Sequence, residues 1–305
     1  MSTSDRRFLI TGAAGKTGAA TTRLLLEQGH AVTAFVYRED ERSHALARAG
    51  ADVVAGDLRD FRDVSAAMVG VESVYFCYPV EPGLIEATVN VAQAAAEAGV
   101  DAVVDMSQVS ARRDAKSNAA RQHWIAERLL DRGPFRTTHL RPTFFAEWIN
   151  WGWLGGGEPG VLALPFGAGR HAPIAGDDQA RVIAAVLTHP APHDRQIYPL
   201  YGPVEMNHDE IAAAMSRALG TAVRYEPISV ETFQAGLLAR GVSQHLVQHL
   251  GNVAVDYRNG IFAGTNNLVE VITAQPPMTV EDYVAANRET FDVEAGRFAI
   301  APTAA

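Results

Sequence analysis

A glycine-rich segment near the amino terminus is the first feature whose residue types and spacing indicate chemistry. Residues 11–18 read Thr-Gly-Ala-Ala-Gly-Lys-Thr-Gly and follow a short apolar run. A G-x-x-G-x-x-G turn that opens a helix lets backbone N–H groups approach a pyrophosphate. An ATPase-type P-loop needs a glycine at position 10, which is isoleucine. The segment predicts a dinucleotide site, with a ligand-free tight turn as the alternative, formed by Thr11, Gly12, Ala14, Gly15, Lys16, Thr17 and Gly18.

The residue after the second apolar run bears on which dinucleotide is bound. NAD sites usually place an acidic residue about 20 residues beyond the glycines, where it binds the ribose 2′-hydroxyl. That position here is Arg38, followed by Glu39 and Asp40. A guanidinium pairs with a 2′-phosphate, which an acid would repel. We therefore expect NADP(H) to be preferred over NAD(H); the alternative is an arginine that is merely solvated.

Two more strand ends are expected to line the cofactor. Asp57 and Leu58 follow the third apolar run, where Asp57 can accept a hydrogen bond from the adenine amine. Tyr78 and Pro79 end the fourth run and are expected beside the nicotinamide. For Asp57 and Leu58 a plain turn is the alternative.

The candidate proton donor is His123, on a helix predicted near 117–132. His123 and Glu127 are four residues apart and so share one helix face. Glu127 can orient the imidazole and raise its pKa, which would leave His123 a donor near neutrality. The alternatives are a residue that only lines the substrate or cofactor pocket, a surface pair that stabilises the helix, and a core histidine. The Tyr-x-x-x-Lys pair of short-chain dehydrogenases is absent, because the residues four before the chain's two lysines are Gly12 and Arg112.

Further candidates lie at the carboxyl ends of later apolar runs. Ser107 closes the fifth run, where its hydroxyl can donate to a substrate oxygen or to the nicotinamide carboxamide. Lys116 is a candidate for the nicotinamide ribose. Aromatic residues in the glycine-rich segment after Pro142 suggest a flat apolar substrate pocket, namely Phe144, Phe145, Trp148 and Trp151. The alternative for Ser107 is a serine that simply starts a loop, and the alternative for Lys116 is a solvated lysine. For the aromatic residues, the alternative is ordinary packing in the core.

Metal and thiol chemistry receive little support. His245 and His249 are four residues apart, but the intervening sequence lacks the acid of a zinc protease, so no metal site is predicted. Cys77 lies inside an apolar run, which favours a packed thiol over a reactive one.

The elements that must position these residues alternate regularly up to about residue 141. Short β-branched runs of the kind that suit strands buried on both faces are followed by amphipathic helical stretches. Strands are predicted at 7–11, 31–37, 52–55, 73–77, 102–106 and 137–140, and helices near 17–28, 42–49, 60–69, 83–98 and 117–132. This order predicts an α/β fold with a doubly wound parallel (Rossmann) sheet.

The pattern changes after Pro142. Residues 142–170 are rich in glycine, tryptophan and phenylalanine and show no clear period. Later stretches predict a strand near 197–200 and helices near 177–188, 207–219, 230–239, 243–258 and 279–291. We interpret 1–141 as the dinucleotide-binding domain and 142–305 as a smaller, helix-rich substrate lobe on the carboxyl edge of the sheet.

Composition narrows the function classes. The 305 residues carry 26 basic and 35 acidic side chains, a net charge of -9, which argues against binding to nucleic acid or an anionic membrane. A single cysteine cannot form a disulfide framework, and no apolar stretch suggests a membrane span or a signal peptide. A cytoplasmic protein is expected; the oligomeric state, including a homodimer, stays open.

Several segments together resemble the NmrA-like branch of atypical short-chain dehydrogenases. These are TGAAGKTG, the basic residue after the second strand, GDLRD and LRPTFFAEW, together with the segment from GDDQARVIAAVLTHP to AAAMSRALG. The resemblance implies either an NADPH-dependent quinone, azo-dye or triphenylmethane-dye reductase or a redox-sensing regulator that binds the dinucleotide without turnover. In such reductases similar His-x-x-x-Glu pairs replace Tyr-x-x-x-Lys, which supports His123.

These observations predict an NADPH-dependent reductase of small conjugated electrophiles. Hydride transfer to a quinone, azo bond, imine or dye gives a delocalised product and needs little acid help, whereas reduction of a simple ketone builds alkoxide charge. The missing tyrosine therefore favours the first group, with an activated carbonyl kept open. The alternative is a non-catalytic NADP-sensing protein that acts through a protein partner.

Overall fold

The computed structural model describes residues 6–155, 159–292, 296 and 300, and the chain divides into two compact units. The first comprises the described residues of 1–114, 119–141 and 176–199. The second comprises those of 115–118, 142–175 and 200–305. Residues 176–199 thus belong with the amino-terminal unit, whereas the sequence interpretation placed them in the carboxyl-terminal lobe.

The secondary-structure elements follow one another in this order. The strands are β1 (Arg7–Thr11), β2 (Ala31–Val36), β3 (Asp52–Ala55), β4 (Ser73–Phe76), β5 (Ala102–Met106), β6 (Arg136–Pro142), β7 (Gly160–Leu164), β8 (Arg170–His171), β9 (Gln196–Leu200), β10 (Met206–Asn207) and β11 (Val223–Pro227). The α-helices are α1 (Lys16–Glu27), α2 (Glu41–Arg48), α3 (Phe61–Ala67), α4 (Leu84–Ala98), α5 (Asn118–Leu130), α6 (Glu147–Trp151), α7 (Gly176–Thr188), α8 (His208–Leu219), α9 (Val230–Ala239), α10 (Gln244–Arg258), α11 (Leu268–Thr273) and α12 (Val280–Ala286).

Among the described residues, seven strands form one sheet in the order β3-β2-β1-β4-β5-β6-β9. The pairings from β3 through β6 are parallel. Arg195 N donates to Thr137 O and Thr143 N to Leu200 O, so β9 runs in the same direction as β6. The strand order reverses between β1 and β4, which is where open α/β sheets bind ligands. The predicted doubly wound Rossmann fold is confirmed.

Helices cover both faces of this sheet. On one face, Val74 and Phe76 of β4 pack in an apolar cluster with Leu84, Ala87 and Val91 of α4. Tyr75 points to the opposite face, where it contacts Thr17 of α1, since successive side chains of a strand alternate in direction. Helix α1 in turn packs against α7. This explains why the strands read as continuous apolar runs.

The second unit contains helices α6 and α8–α12 and two small sheets. Strands β7 and β11 pair in parallel, and β8 pairs with β10 in antiparallel fashion. The sequence analysis predicted the longer helices here but missed α6, α11 and all four of these short strands. Across the described residues no helix is long and apolar enough to cross a membrane.

Candidate functional site

The glycine-rich loop between β1 and α1 is closed by its own backbone. Gly12 has a φ of +59°, a left-handed conformation that favours glycine, and its carbonyl accepts a 2.8 Å hydrogen bond from Gly15 N. A side chain at Gly18 would collide with the backbone of Gly12 and Ala13. Gly12, Gly15 and Lys16 are exposed, and Ala14 is half-buried. The loop therefore presents backbone rather than side chains at the switch point of the sheet.

The amino terminus of α1 suits an anion. Within this fully described helix there is no acid in the first turn and no side-chain cap at Gly15. Helices α2 and α3, in contrast, are capped by Asp40 and Asp60. No side chain caps the first-turn N–H groups of α1, and these groups together with the helix dipole suit a pyrophosphate.

Lys16 and the two threonines of the loop already have partners within the first unit. Lys16 Nζ lies 3.5 Å from Asp177 Oδ1, so its charge is shared with that carboxylate. Thr11 Oγ1 donates to Cys77 O at 3.1 Å and accepts from Cys77 N at 2.8 Å, which joins the ends of β1 and β4. Thr17 Oγ1 lies 2.9 Å from Tyr75 Oη. Both threonine hydroxyls hold the loop in place.

A cleft of about 340 Å³ lies beside this loop. Residues predicted from three separate strand ends line it together: Gly12, Asp57, Leu58, Tyr78 and Pro79. The other lining residues are Gly56, directly before the predicted Asp57, and Phe35, Tyr37, Arg59, Cys77 and Glu81, none of which the sequence analysis assigned to the cofactor. The alternation of strands and turns therefore correctly grouped residues that are far apart in the chain.

Asp57 has a strong partner that the sequence analysis did not predict. Its carboxylate accepts from Arg59 Nε at 3.0 Å and from Arg59 Nη2 at 2.7 Å, a bidentate pair. These hydrogen bonds hold the pKa of Asp57 below its usual value. The Asp-x-Arg spacing of GDLRD was the signal that could have revealed the pair. Contact of Asp57 with the adenine amine stays a prediction.

Arg38 is exposed and makes no hydrogen bond or ion pair with any residue that the structure describes. Of the two acids that follow it, Asp40 is bound by another arginine and Glu39 lies near a histidine. Glu39 Oε2 lies 3.6 Å from His44 Nε2, and Asp40 binds Arg42 while it caps α2. The arginine is thus available to an anionic ligand next to the end of β2.

At the carboxyl end of β5, Ser107 is bound to Glu127 of α5. Ser107 Oγ donates to Glu127 Oε1 at 2.6 Å, and Ser107 N donates to Leu140 O at 2.8 Å. Arg141 holds the same carboxylate in bidentate fashion, with Nε–Oε1 at 2.8 Å and Nη2–Oε2 at 2.6 Å. Glu127 is fully buried. The serine proton is therefore directed to Glu127 and not to a substrate oxygen.

The expected pairing of His123 with Glu127 is not formed. The oxygens of Glu127 accept from Ser107, Arg141 and Arg128, and His123 Nδ1 has no hydrogen-bond partner in the described part of the chain. Burial lowers the pKa of His123 and Arg141 adds to this, against the opposite effect of Asp105 and Glu127. The prediction of a raised pKa was wrong, because desolvation outweighs the carboxylates.

A second buried histidine of the first unit is in the opposite state. His139 Nδ1 lies 2.9 Å from Asp105 Oδ2, and its Nε2 lies 3.0 Å from Asp131 Oδ1. Burial alone would lower the pKa of His139, but the hydrogen bonds to the two carboxylates outweigh it and raise the pKa to about 9. His139 is therefore a charged group inside the unit, and the sequence analysis did not identify it.

Lys116 and its neighbours are held against α10 in the second unit. Gln248 Nε2 donates to Lys116 O at 2.8 Å, and Gln248 Oε1 accepts from Asn118 N at 3.0 Å. Ser117 Oγ lies 2.8 Å from His249 Nδ1. The side chain of Lys116 is exposed. Its backbone is fixed, and its role toward a ribose stays a prediction.

The four aromatic residues proposed for substrate binding differ in burial. Phe144 is 7% exposed and packs against Phe166, Tyr257 and Phe262 in the core of the second unit. Phe145, Trp148 and Trp151 are partly exposed, and the two tryptophan rings meet edge-on at 4.9 Å. Core packing thus accounts for Phe144. Among the described residues no group of histidine, cysteine and acidic side chains could hold a metal ion.

An open parallel sheet with a glycine loop and an uncapped helix terminus at its switch point defines the class of dinucleotide-binding Rossmann proteins. The NmrA-like family model matches residues 4–283. The chain belongs to the NmrA-like family, which confirms the resemblance recognised in its motifs.

Similar proteins agree with the predicted class of NAD(P)H-dependent oxidoreductase. The chain is 28% identical to an NAD(P)H azoreductase of Xenophilus azovorans over 93% of its length and 99% of the relative. It is 27% identical to quinone oxidoreductase 2 of Escherichia coli, covering 90% of this chain and 96% of that one. An NADPH-dependent quinone oxidoreductase from Escherichia coli, solved with NADPH, superposes with a TM-score of 0.80 at 25% identity, over 92% and 99% of the two chains.

Proposed function

We propose that this oxidoreductase transfers hydride from NADPH to a small conjugated electrophile such as a quinone, an azo compound or a cationic dye. The observation that carries the proposal is the exposed glycine loop at the uncapped terminus of α1, beside the cleft lined by Asp57, Leu58 and Tyr78. When bound, the cofactor supplies the hydride. The protein supplies the phosphate site, the walls of the cleft and the hydrogen bonds that orient the bound groups.

The preference for NADP(H) over NAD(H) rests on Arg38. Its guanidinium is exposed at the end of β2, where a ribose 2′-phosphate is expected. The neighbouring Asp40 is held by Arg42, which reduces its competition for the arginine.

The nature of the acceptor is supported by the weak acids near the end of β5. The Ser107 proton is bound by Glu127, and burial lowers the pKa of His123, which favours a neutral imidazole. Neither group is a strong acid toward an alkoxide, whereas an acceptor that delocalises charge needs little help. The names of the relatives, an azoreductase and quinone oxidoreductases, support the same substrate class. Lys116, Phe145, Trp148 and Trp151 stay candidates for binding the ribose or the substrate.

The test is NADPH oxidation in the presence of a benzoquinone, an azo dye, a triphenylmethane dye and a simple aryl ketone. We expect turnover with at least one of the first three and little with the ketone. Gly18→Val, whose side chain would collide with Gly12, should abolish both cofactor binding and turnover while the fold is retained by circular dichroism. Tight NADPH binding without any turnover would contradict the proposal and favour a dinucleotide sensor.

A further inference from the structure

The hydroxyl group of Ser107 acts as a hydrogen-bond donor toward Glu127. Its oxygen lies 2.6 Å from Glu127 Oε1, within the range of a charge-assisted O–H···O⁻ bond. A hydroxyl has one proton and two lone pairs, so a serine that donates to Glu127 can only accept from a further ligand.

Glu127 cannot reverse this arrangement by donating to Ser107. Its two oxygens accept from Arg141 through a bidentate pair, and Arg128 Nη1 lies 3.2 Å from Oε2. A proton on either carboxyl oxygen of Glu127 would point toward these N–H donors and would be repelled by them. The carboxyl is fully buried, so water cannot replace its partners. Glu127 therefore acts as an acceptor toward Ser107.

The place of Ser107 in the fold limits which ligand group can meet it. It directly follows β5, its backbone is held by Leu140 O, and it lies at the carboxyl edge where open α/β sheets bind ligands. Quinone carbonyls and azo nitrogens are acceptors and cannot bind the serine lone pairs. The carboxamide of a nicotinamide carries N–H donors that can.

We propose that Ser107 accepts a hydrogen bond from the carboxamide N–H of the bound nicotinamide, and that Glu127 is the positioning residue that makes it an acceptor. The inference rests on the proposed function, since it requires a bound nicotinamide dinucleotide. It replaces the sequence-based expectation that Ser107 donates to a substrate oxygen.

The experiment is calorimetric titration with NADP⁺ and with its 3-acetylpyridine analogue, in which a methyl ketone replaces the carboxamide. The wild-type protein should bind NADP⁺ more tightly by about fivefold, the factor expected of one uncharged hydrogen bond. Ser107→Ala should remove this preference. Ser110→Ala is the matched control, because Ser110 is also buried and donates instead to Gln108 Oε1; this variant should keep the preference.

Glu127→Gln provides a second and independent test. An amide that faces Ser107 with its N–H₂ group would release the serine proton toward the ligand, so the preference for NADP⁺ should fall or reverse. If Glu127 only stabilises the fold, Glu127→Gln should weaken the binding of NADP⁺ and of the analogue equally. Equal binding of the two ligands by the wild-type protein, or an unchanged ratio in Ser107→Ala, would overturn the inference. Failure of NADP⁺ itself to bind would instead refute the proposed function.

Discussion

Arg38 is the side chain whose surroundings bear most directly on the choice of cofactor. It stands next to the cleft residue Tyr37, which is 74% exposed, and has no partner among the residues described. An exposed arginine with nothing to bind contributes little to stability, which is consistent with a role in ligand recognition. The sequence position alone could not distinguish this role from a solvated strand end.

We expect Arg38→Asp to weaken NADPH binding by about 10- to 100-fold, the loss of a charge-assisted hydrogen bond. NADH binding should change much less, because NADH lacks the 2′-phosphate. Titration of each variant with both cofactors measures this. Arg23→Asp makes the same change of charge at an exposed position of α1 outside the cleft and should leave the ratio unchanged. An equal effect of Arg38→Asp on both cofactors would contradict the assignment.

At the scale of elements, α5 and the residue directly after it carry two carboxylates four residues apart, Glu127 and Asp131, which bind residues of β6 and the end of β5. Glu127 binds Ser107 and Arg141, and Asp131 binds His139. Such spacing normally marks the solvent face of a helix. Here it forms a buried polar layer in which Glu127 and His139 are fully buried, while Asp131 is 31% exposed. Because the charge of Glu127 is compensated inside the unit, removing its partner is more costly than losing a surface pair.

Arg141→Met should therefore lower the free energy of unfolding by about 3–5 kcal/mol, since it leaves Glu127 buried with fewer compensating donors. Urea denaturation followed by circular dichroism measures this. The control is Arg136→Met on the same strand, where Arg136 pairs with Asp101 and both side chains are partly exposed. That variant should cost at most about 1 kcal/mol. Similar losses for the two variants would show that the buried layer is not specially dependent on Arg141.

The buried layer also marks the limit of sequence-based prediction. Strands β1, β3 and β5 were predicted at their observed bounds, because short apolar runs are local signals in the sequence. The grouping of Asp57, Leu58 and Tyr78 in one cleft followed from the rule that parallel strands end at the same edge. The pairing of Glu127 with Arg141 could not be predicted in this way. Arg141 lies on β6, and the sequence contains no periodicity that shows which residue of β6 faces α5. Strand β7 was missed for the same reason, since it pairs with β11 far along the chain.

At the scale of the whole molecule, buried histidines respond to pH in two opposite directions: the pKa of His139 is raised, whereas burial lowers the pKa of His123 in the same unit and of two histidines in the second unit. In the first unit, carboxylates raise the pKa of His139 to about 9 despite its burial. In the second unit, burial lowers the pKa of His208 to about 3 and that of His171 well below its usual value. His171 Nδ1 lies 2.6 Å from Tyr257 Oη, a neutral pairing.

These states predict a stability maximum near the ordinary histidine pKa of 6.5. The contribution of His139 is complete below pH 6.5 and is lost as pH rises through about 9, a change of about 3 kcal/mol. The contribution of neutral His123, His171 and His208 is complete above pH 6.5 and is lost as pH falls below it. Urea midpoints measured across this range provide the test.

Two variants test whether His139 causes the loss of stability above pH 6.5. His139→Gln should flatten the decline above pH 6.5. His44→Gln, at a histidine whose side chain is 52% exposed, should leave the profile unchanged. A decline that persists in His139→Gln would show that another group causes it.

The path of the chain between the units has a consequence for biosynthesis. Helix α7 packs on α1, and β9 pairs with β6, yet both are translated after residues 142–175 of the other unit. A nascent chain that has reached only the end of β6 thus has an open sheet edge and an uncovered helix face. Strand β7 likewise cannot form its parallel pairing until β11 has been synthesised. The first unit can close only after residues 176–199 have been synthesised, and until then its unpaired sheet edge is exposed to misassembly.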